Sequence, residues 1–292
     1  MTANDSAGPR ATPAAAWLSL PAPVRQLFDR FPLATPAPNR LPQRSPRDRS
    51  EHVLYIFRDP WNTSDDAPSC NPSCLKWQAF LRFRCIKPRL RPSNNHASPS
   101  GALPFLLPAS GDGERPKSPV AASKLPTWVA SQGNPVEDRH QREDAYSALI
   151  DNDIRSAWLY NLYIDCDNFR SVSWPLYVAT ASRSRAVQHV TANQLRTAAF
   201  DELSKSSSLV DGTALYDAAD AAFKALSTLL GARDFFFDAA QPGLFDASLF
   251  AYTHLLLGFE PRWARPQLLS ILRRYDNLVV HRDRLLHQYF DD

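Results

Sequence analysis

Hydrophobic positions in the first half of the chain form short runs that are separated by polar loops. The run His52–Phe57 is β-branched and aromatic, which predicts a buried strand. Pro72 opens a predicted helix, whose main apolar stripe is Cys74, Trp77, Phe80, Leu81 and Cys85. Shorter runs predict strands at 89–91, 104–107 and 120–122, before a helix that begins near Ser123. The predicted order is therefore β-α-β-β-β-α.

After about residue 134 the pattern becomes helical. Tyr146, Leu149, Ile150, Ile154, Trp158 and Leu162 recur at spacings of three and four. Further helices are predicted at 184–206, 212–230, 243–257 and 266–290, and no strand-like alternation interrupts them. We therefore expect an α+β domain followed by an all-α domain. The predicted divisions are an N-terminal extension over 1–50, the α+β domain over 51–133 and the all-α domain over 134–292.

The extension is rich in proline and contains one short amphipathic helix. Val24, Leu27 and Phe28 recur at helical spacing within residues 22–30. Such a short segment is unstable alone, so it packs either on the body of the protein or on a partner or membrane surface. We favour the first alternative, because the polar face is not strongly basic.

Composition narrows the class of protein. With 44% hydrophobic and 22% charged residues, the chain of 292 residues fits a globular protein. Its net charge of +3 does not by itself indicate nucleic-acid binding. Four cysteines in this length favour a reducing compartment over a disulfide framework. The first twenty residues lack the apolar core of a secretory signal. The longest apolar run, 249–259, is far shorter than the roughly 20 residues that a membrane span requires.

The loop 95–101 leads into Leu103-Pro104 at the mouth of the third predicted strand. A cis bond costs little free energy there, because an X-Pro amide prefers the trans form by only about 1 kcal/mol. We therefore predict a cis bond before Pro104.

Several motifs resemble the metaxin branch of the glutathione-transferase-like superfamily. They are the strand and helix pair around Pro72-Ser-Cys-Leu-Lys-Trp, the segment Ser98-Pro-Ser-Gly-Ala-Leu-Pro-Phe, the segment Phe236–Phe250, and Asn277-Leu-Val-Val-His-Arg-Asp-Arg-Leu. The leader Leu20–Leu33 resembles the fungal members. The resemblance implies a thioredoxin-like N-terminal domain followed by an all-α domain.

The resemblance also implies a function. It identifies the chain as similar to the smaller fungal metaxin-like subunit of the sorting and assembly machinery, a peripheral protein on the cytosolic face of the mitochondrial outer membrane. The implied partners are the membrane-embedded β-barrel subunit, a second metaxin-like subunit and the β-signal of barrel precursors. A peptide is expected either at a sheet edge, by strand addition, or in a groove between the two halves.

Asp246 and Gly243 have a predicted structural role at the start of the helix over 243–257. A side chain three positions into a helix can accept a hydrogen bond from the N–H of the capping residue, here Gly243. The negative charge of Asp246 also lies at the positive end of the helix dipole.

The alternative function is that of a glutathione-dependent transferase. Ser69, Cys70, Ser73 and Cys74 are the candidate thiolate-stabilising residues, but they follow a long loop instead of a tight turn. Ser123 matches an expected hydroxyl, whereas Ala122 stands where the transferases have an acidic residue. We therefore expect no enzyme activity, and no catalytic, cofactor-binding or metal-binding residues. The spacing of Cys70 and Cys74 also differs from that of a redox pair.

The densest basic cluster is Arg82, Arg84, Lys87, Arg89 and Arg91. A solvated helix end and strand edge explains it most simply. The alternative is that Arg82, Arg84, Arg89 and Arg91 contact acidic lipid head groups or the partner barrel.

Overall fold

The computed structural model describes residues 50–62, 64–110, 117–133, 142–205 and 209–291. The predicted amphipathic helix over 22–30 lies outside the described residues, as do the limits of the extension and the boundary at 133/134. The predictions for those segments therefore remain expectations.

A small mixed sheet forms the first half. Its strands are β1 (Val53–Ile56), β2 (Arg89–Pro92), β3 (Phe105–Leu107) and β4 (Val120–Ala121), in the order β2-β1-β3-β4. β1 pairs in parallel with β2 and antiparallel with β3, which in turn pairs antiparallel with β4. Helix α1 (Pro72–Phe83) connects the two parallel strands, and α2 (Leu125–Ser131) follows β4. This order agrees with the pattern of the sequence.

Helices make up the described part of the second half. They are α3 (Glu143–Ala148), α4 (Arg155–Leu159), α5 (Cys166–Asn168), α6 (Arg185–Leu203), α7 (Gly212–Leu230), α8 (Leu244–Gly258), α9 (Gln267–Leu272) and α10 (Asp276–Tyr289). Wider helical turns over Leu149–Ile154, Tyr160–Ile164 and Phe169–Val178 join the earlier helices. The helical segment after residue 166 is absent from the predictions, and the single helix expected over 266–290 is two helices.

One core unites the sheet with the helices. Leu54 of β1 and Leu106 of β3 are fully buried beneath α1, and α8 packs along α1. α8 is buried on most of its faces, because α1, α9 and α10 surround it. α1 ends at Phe83, so Cys85 lies beyond the helix and is exposed, contrary to its expected place on the apolar stripe.

Candidate functional site

The N-terminus of α1 meets the end of β1 in a corner that is closed by internal hydrogen bonds. Asn71 caps the helix by accepting from the Cys74 N–H at 3.2 Å. The Ser69 hydroxyl donates to the Phe57 carbonyl at 2.6 Å, and the Ser69 N–H donates to Gln78 at 2.9 Å. Ser69 and Gln78 are both buried. The polar groups of this corner therefore bind one another.

The two candidate thiols of the corner are buried and neutral. Burial raises the pKa of the Cys70 thiol, and the nearby Asp59 carboxylate raises it further. Burial likewise raises the pKa of Cys74 to about 12. A nucleophilic cysteine needs the opposite environment, because the thiolate is the reactive form.

Aromatic side chains of the helical half cover this corner. The Tyr177 hydroxyl donates to the Cys70 carbonyl at 3.0 Å, and its ring meets Phe57 edge-on at 5.7 Å. Tyr163 packs beside Tyr177 with ring centroids 6.1 Å apart. Burial raises the pKa of both tyrosines. These phenols are therefore protonated packing groups.

The peptide bond between Leu103 and Pro104 is cis. The Leu103 N–H donates to the Asn95 side chain at 3.0 Å, and the Ser98 hydroxyl donates to the Ala102 carbonyl at 2.6 Å. The backbone groups just before the cis bond are thus bound by side chains of their own loop. Asn95 and Ser98 therefore fix the conformation of the loop that leads to Pro104.

The remaining transferase candidates, Ser73 and Ser123, are both exposed. Ser73 lies in the first turn of α1, and Ser123 lies in the short turn before α2. Ala122 precedes Ser123 and offers no charge for a ligand ammonium group. A cationic group brought there would lose water without gaining an ion partner from these residues.

Arg82 is not a surface residue, so its predicted partner-binding role is wrong. Its side chain is 4% exposed and donates to the carbonyls of Tyr289 at 2.8 Å and Asp66 at 3.0 Å. The guanidinium also lies 4.5 Å from the centre of the Phe290 ring. The side chain therefore joins α1 to the end of α10 instead of facing a partner.

The other three arginines of the cluster differ from Arg82. Arg84 is half-buried, with its guanidinium 5.7 Å from the centre of the Phe80 ring. Arg89 and Arg91 are exposed on β2, which is an edge strand of the described sheet. A role in partner binding therefore stays a prediction for Arg84, Arg89 and Arg91.

The free side of β2 is poor in hydrogen-bond donors. The N–H groups of Arg89 and Ser93 donate to β1-side carbonyls, those of His52 at 2.8 Å and Ile56 at 2.9 Å. Because alternate residues face opposite edges, Pro88, Leu90 and Pro92 face away from β1. Proline has no N–H, so Leu90 is the residue of this trio that can donate to an added strand.

Asp246 anchors three segments of the second half. Its carboxylate is 2% exposed and accepts from the Gly243 N–H at 2.9 Å and the Phe236 N–H at 3.2 Å. His281 of α10 lies 2.9 Å away through Nε2. Sequence reasoning identified the bond to Gly243 and missed the other two, because no pattern links positions 236 and 281 to 246.

A cleft of about 420 Å³ lies between the loop after β1 and the ends of α8 and α10. Its apolar lining includes Leu255, Phe259, Leu286 and Phe290, and its carboxylates are Asp59, Asp66 and Asp291. We call it the carboxylate-rimmed cleft. Its lining is therefore part apolar and part acidic.

Neither a metal cluster nor a membrane span is found in the described part of the chain. Its His, Cys, Asp and Glu side chains nowhere gather in a group of three or more that is able to hold an ion. Its helices are all too short or too polar to cross a bilayer.

The fold and the closed corner define a protein with a glutathione-transferase-like two-domain architecture. A family model described as the glutathione S-transferase N-terminal domain matches residues 72–168. A second, the glutathione S-transferase C-terminal domain, matches residues 219–285. A glutathione S-transferase of Ceriporiopsis subvermispora in complex with glutathione shares this fold, with a TM-score of 0.51 and 13% identity. The alignment covers 83% of this chain and 99% of that structure.

Among curated proteins the chain is similar to Metaxin-3 of Xenopus laevis. The two are 25% identical over 240 residues, which is 79% of this chain and 75% of the relative. The similarity thus spans most of both proteins and supports the metaxin side of this superfamily.

Proposed function

We propose that the chain is a non-catalytic peripheral subunit of the mitochondrial outer-membrane sorting and assembly machinery. In this role it lies on the cytosolic face, helps to recognise β-signals and assists the insertion of barrel precursors. Its partners are the membrane-embedded β-barrel subunit and a second metaxin-like subunit. Similarity to Metaxin-3 over 79% of the chain supports the family on which this role rests.

The observation that carries the proposal is the internal closure of two places, the corner at the start of α1 and the loop before the cis proline. In the loop before the cis bond, Asn95 accepts from the Leu103 N–H and Ser98 donates to the Ala102 carbonyl. Cys70 and Cys74 are buried, and burial raises the pKa of both thiols. A thiol substrate would have to displace these bonds and would meet no activated group among them. Binding of macromolecules is the function that such a scaffold retains.

The structure favours a groove over strand addition as the mode of peptide capture. Pro88 and Pro92 remove two donors from the free side of β2, and β4 has only the two residues Val120–Ala121. The carboxylate-rimmed cleft instead offers an apolar floor beside polar groups. We therefore assign precursor binding to this cleft as part of the proposal.

The test is purification of the tagged full-length chain from mitochondria of its own organism in mild detergent. Recovery of an outer-membrane β-barrel protein in stoichiometric amount is expected. A matched pair of double variants tests the predicted contact of Arg89 and Arg91 with the barrel. Arg89→Glu with Arg91→Glu is expected to lower recovery of the barrel protein, whereas Lys124→Glu with Lys224→Glu, the same charge change at other exposed sites, is not. Recovery of no barrel protein, combined with conjugation of glutathione by the purified chain, would contradict the proposal.

A further inference from the structure

The carboxylate-rimmed cleft combines acidic and apolar groups in one concave surface. Its volume of about 420 Å³ lies within the roughly 300–1,000 Å³ that is usual for ligand-binding clefts. None of the described side chains that line it is a lysine or an arginine. Leu286 and Phe290 are half-buried, so part of their apolar surface faces outward. The cleft is therefore acidic and partly apolar, with no cation of its own in the described lining.

Two of the three carboxylates have no ion partner among the described residues. Asp66 lies 3.5 Å from the guanidinium of Arg82 and is therefore paired. Asp59 is half-buried and accepts only a backbone hydrogen bond, from the Trp61 N–H at 2.8 Å. Asp291 is exposed, and neither it nor Asp59 forms a salt bridge within the described part of the chain. These two carboxylates can therefore attract a cation from outside.

The cations that surround the cleft are bound to other groups. Three contacts engage them: Arg58 with Asp65 at 3.3 Å, Arg262 with the centre of the Trp61 ring at 3.9 Å, and Arg282 with Asp283 at 2.5 Å. The negative charge at the edge of the cleft is therefore not neutralised by a direct ion pair with these arginines.

The last turn of α8 leaves one wall of the cleft open. Gly258 is exposed, and a β-carbon at this position would lie 3.9 Å from Nε2 of His254. His254 also lines the cleft, and burial together with the nearby Arg282 lowers its pKa to about 3. The ring is therefore neutral near pH 7. A neutral imidazole does not repel a cation and can form a hydrogen bond.

Three kinds of group in the lining together define the ligand. Neutral side chains that form hydrogen bonds, Asn62, Ser64 and His254, lie beside the carboxylates and the apolar groups. A polyamine would satisfy the carboxylates but leave the apolar surface in water. A purely apolar segment would bury the carboxylates without a partner. A peptide with basic and apolar side chains satisfies all three, because its main-chain amides can pair with the neutral groups.

We propose that the carboxylate-rimmed cleft binds an extended peptide segment in which a Lys or Arg side chain stands next to a large apolar side chain. The cation lies at Asp59 and Asp291, and the apolar side chain packs on Phe259 and Phe290. The source of the peptide, a barrel precursor, rests on the proposed function. Its charge and its apolar character follow from the lining of the cleft.

The test is fluorescence anisotropy of labelled synthetic peptides with the purified full-length chain. The probe is a short capped peptide of Gly and Ser that carries two Lys, one Leu and one Phe. One comparison peptide has Glu in place of Lys, and the other has Ser in place of Leu and Phe. The first peptide is expected to bind saturably, and each comparison peptide about tenfold more weakly or less.

A charge variant and its matched control test the carboxylates. Asp59→Asn with Asp291→Asn is expected to weaken binding of the basic peptide by about three- to fivefold per carboxylate, because each change removes a charge and keeps an acceptor oxygen. Asp201→Asn with Asp217→Asn makes the same change at exposed sites of α6 and α7 and should leave binding as it is.

A steric variant tests the position of the peptide. Gly258→Leu is expected to abolish binding, because the new side chain extends into the cleft beside His254. Gly258 is part of a helix, and a β-carbon there meets His254 at an ordinary van der Waals distance. Thermal unfolding should therefore show a variant as stable as the parent chain. If this variant does not fold, the Asp59 and Asp291 variant decides.

Several results would overturn the proposal. They are absence of binding by the parent chain, equal binding of the basic and acidic peptides, equal loss in the Asp201 and Asp217 variant, and unchanged binding by a folded Gly258 variant. Tighter binding of spermidine than of the basic peptide would assign the cleft to a polyamine. A dimer of the parent chain that Gly258→Leu converts into a monomer would assign it to a second copy. Both assignments refute the proposal.

This outcome is separate from that of the proposed function. Recovery of a barrel protein in detergent does not depend on which peptide the isolated chain selects. Failure of the peptide test would therefore leave the proposed function standing. Selective peptide binding without recovery of the machinery would keep the cleft as a peptide site and refute the barrel precursor as its source.

Discussion

At the scale of single residues, the Asp246 carboxylate joins three segments of the chain. It binds the N–H at the start of α8, the N–H of Phe236 in the preceding loop and the His281 ring of α10. Phe237, next to Phe236, has a φ of 59°, a left-handed conformation that a bulky residue rarely adopts. The hydrogen bond from the Phe236 N–H to Asp246 helps to stabilise the loop in which Phe237 has this unfavourable conformation.

Asp246→Ala is expected to lower the free energy of unfolding by about 3–5 kcal/mol, because buried donors lose their acceptor. Urea unfolding followed by circular dichroism measures the change. Asp201→Ala removes an exposed carboxylate of α6 and is expected to change stability by less than about 0.5 kcal/mol. Equal effects of the two substitutions would show that Asp246 has no special structural role.

The sequence predicted part of this residue-scale picture. Local relations were visible, such as Asp246 three residues after Gly243 and Pro104 after a turn-rich loop. Long-range partners were not, since His281 is 35 positions from Asp246. The wrong prediction for Arg82 has the same origin. Its carbonyl partner at Tyr289 is 207 positions away, so a charged residue in a basic run resembled a surface residue. One signal was present: α1 is apolar on more than one side, which indicates a helix that is covered on more than one side.

At the scale of elements, Arg82 joins α1 to α10 and to the loop after β1. Replacing it leaves the carbonyls of Tyr289 and Asp66 without this donor. Arg82→Met keeps the length of the side chain and its contact with Phe290. We expect it to reduce the free energy of unfolding by about 2–4 kcal/mol.

Arg89→Met is the matched control, since Arg89 is an exposed arginine of β2. Its expected effect is under about 0.5 kcal/mol in the same unfolding experiment. If the Arg89 substitution destabilises the chain as much as the Arg82 substitution, the contrast between a buried link and a surface charge is wrong.

Two helical elements differed from the predicted pattern for physical reasons. The segment Phe169–Val178 contains Pro175, which normally ends a helix, and wide turns accommodate it. The break between α9 and α10 contains neither Gly nor Pro, so no local residue predicts it. Residues far away in the sequence stabilise it: Tyr275 donates to Asp220 at 2.6 Å, and Asn277 donates to the Ser227 carbonyl at 2.8 Å. Neither contact can be read from local periodicity.

At the scale of the whole molecule, the corner at the start of α1 adjoins the carboxylate-rimmed cleft, because Ser69 and Cys70 also line the cleft. The corner is closed by its own hydrogen bonds. The cleft is proposed for a precursor peptide. Sequence order and motif spacing were sufficient for the two-domain fold. They did not give the cleft, because its lining comes from segments that are far apart in the sequence.

The central claim is that this scaffold no longer takes a small thiol in its corner. Titration calorimetry with reduced glutathione and the purified full-length chain tests it most directly. The account predicts no saturable heat at millimolar ligand, because the Ala102 carbonyl and the Leu103 N–H are already bound and the thiols of the corner are buried. Saturable binding of one glutathione per chain that Ser73→Ala abolishes would contradict it.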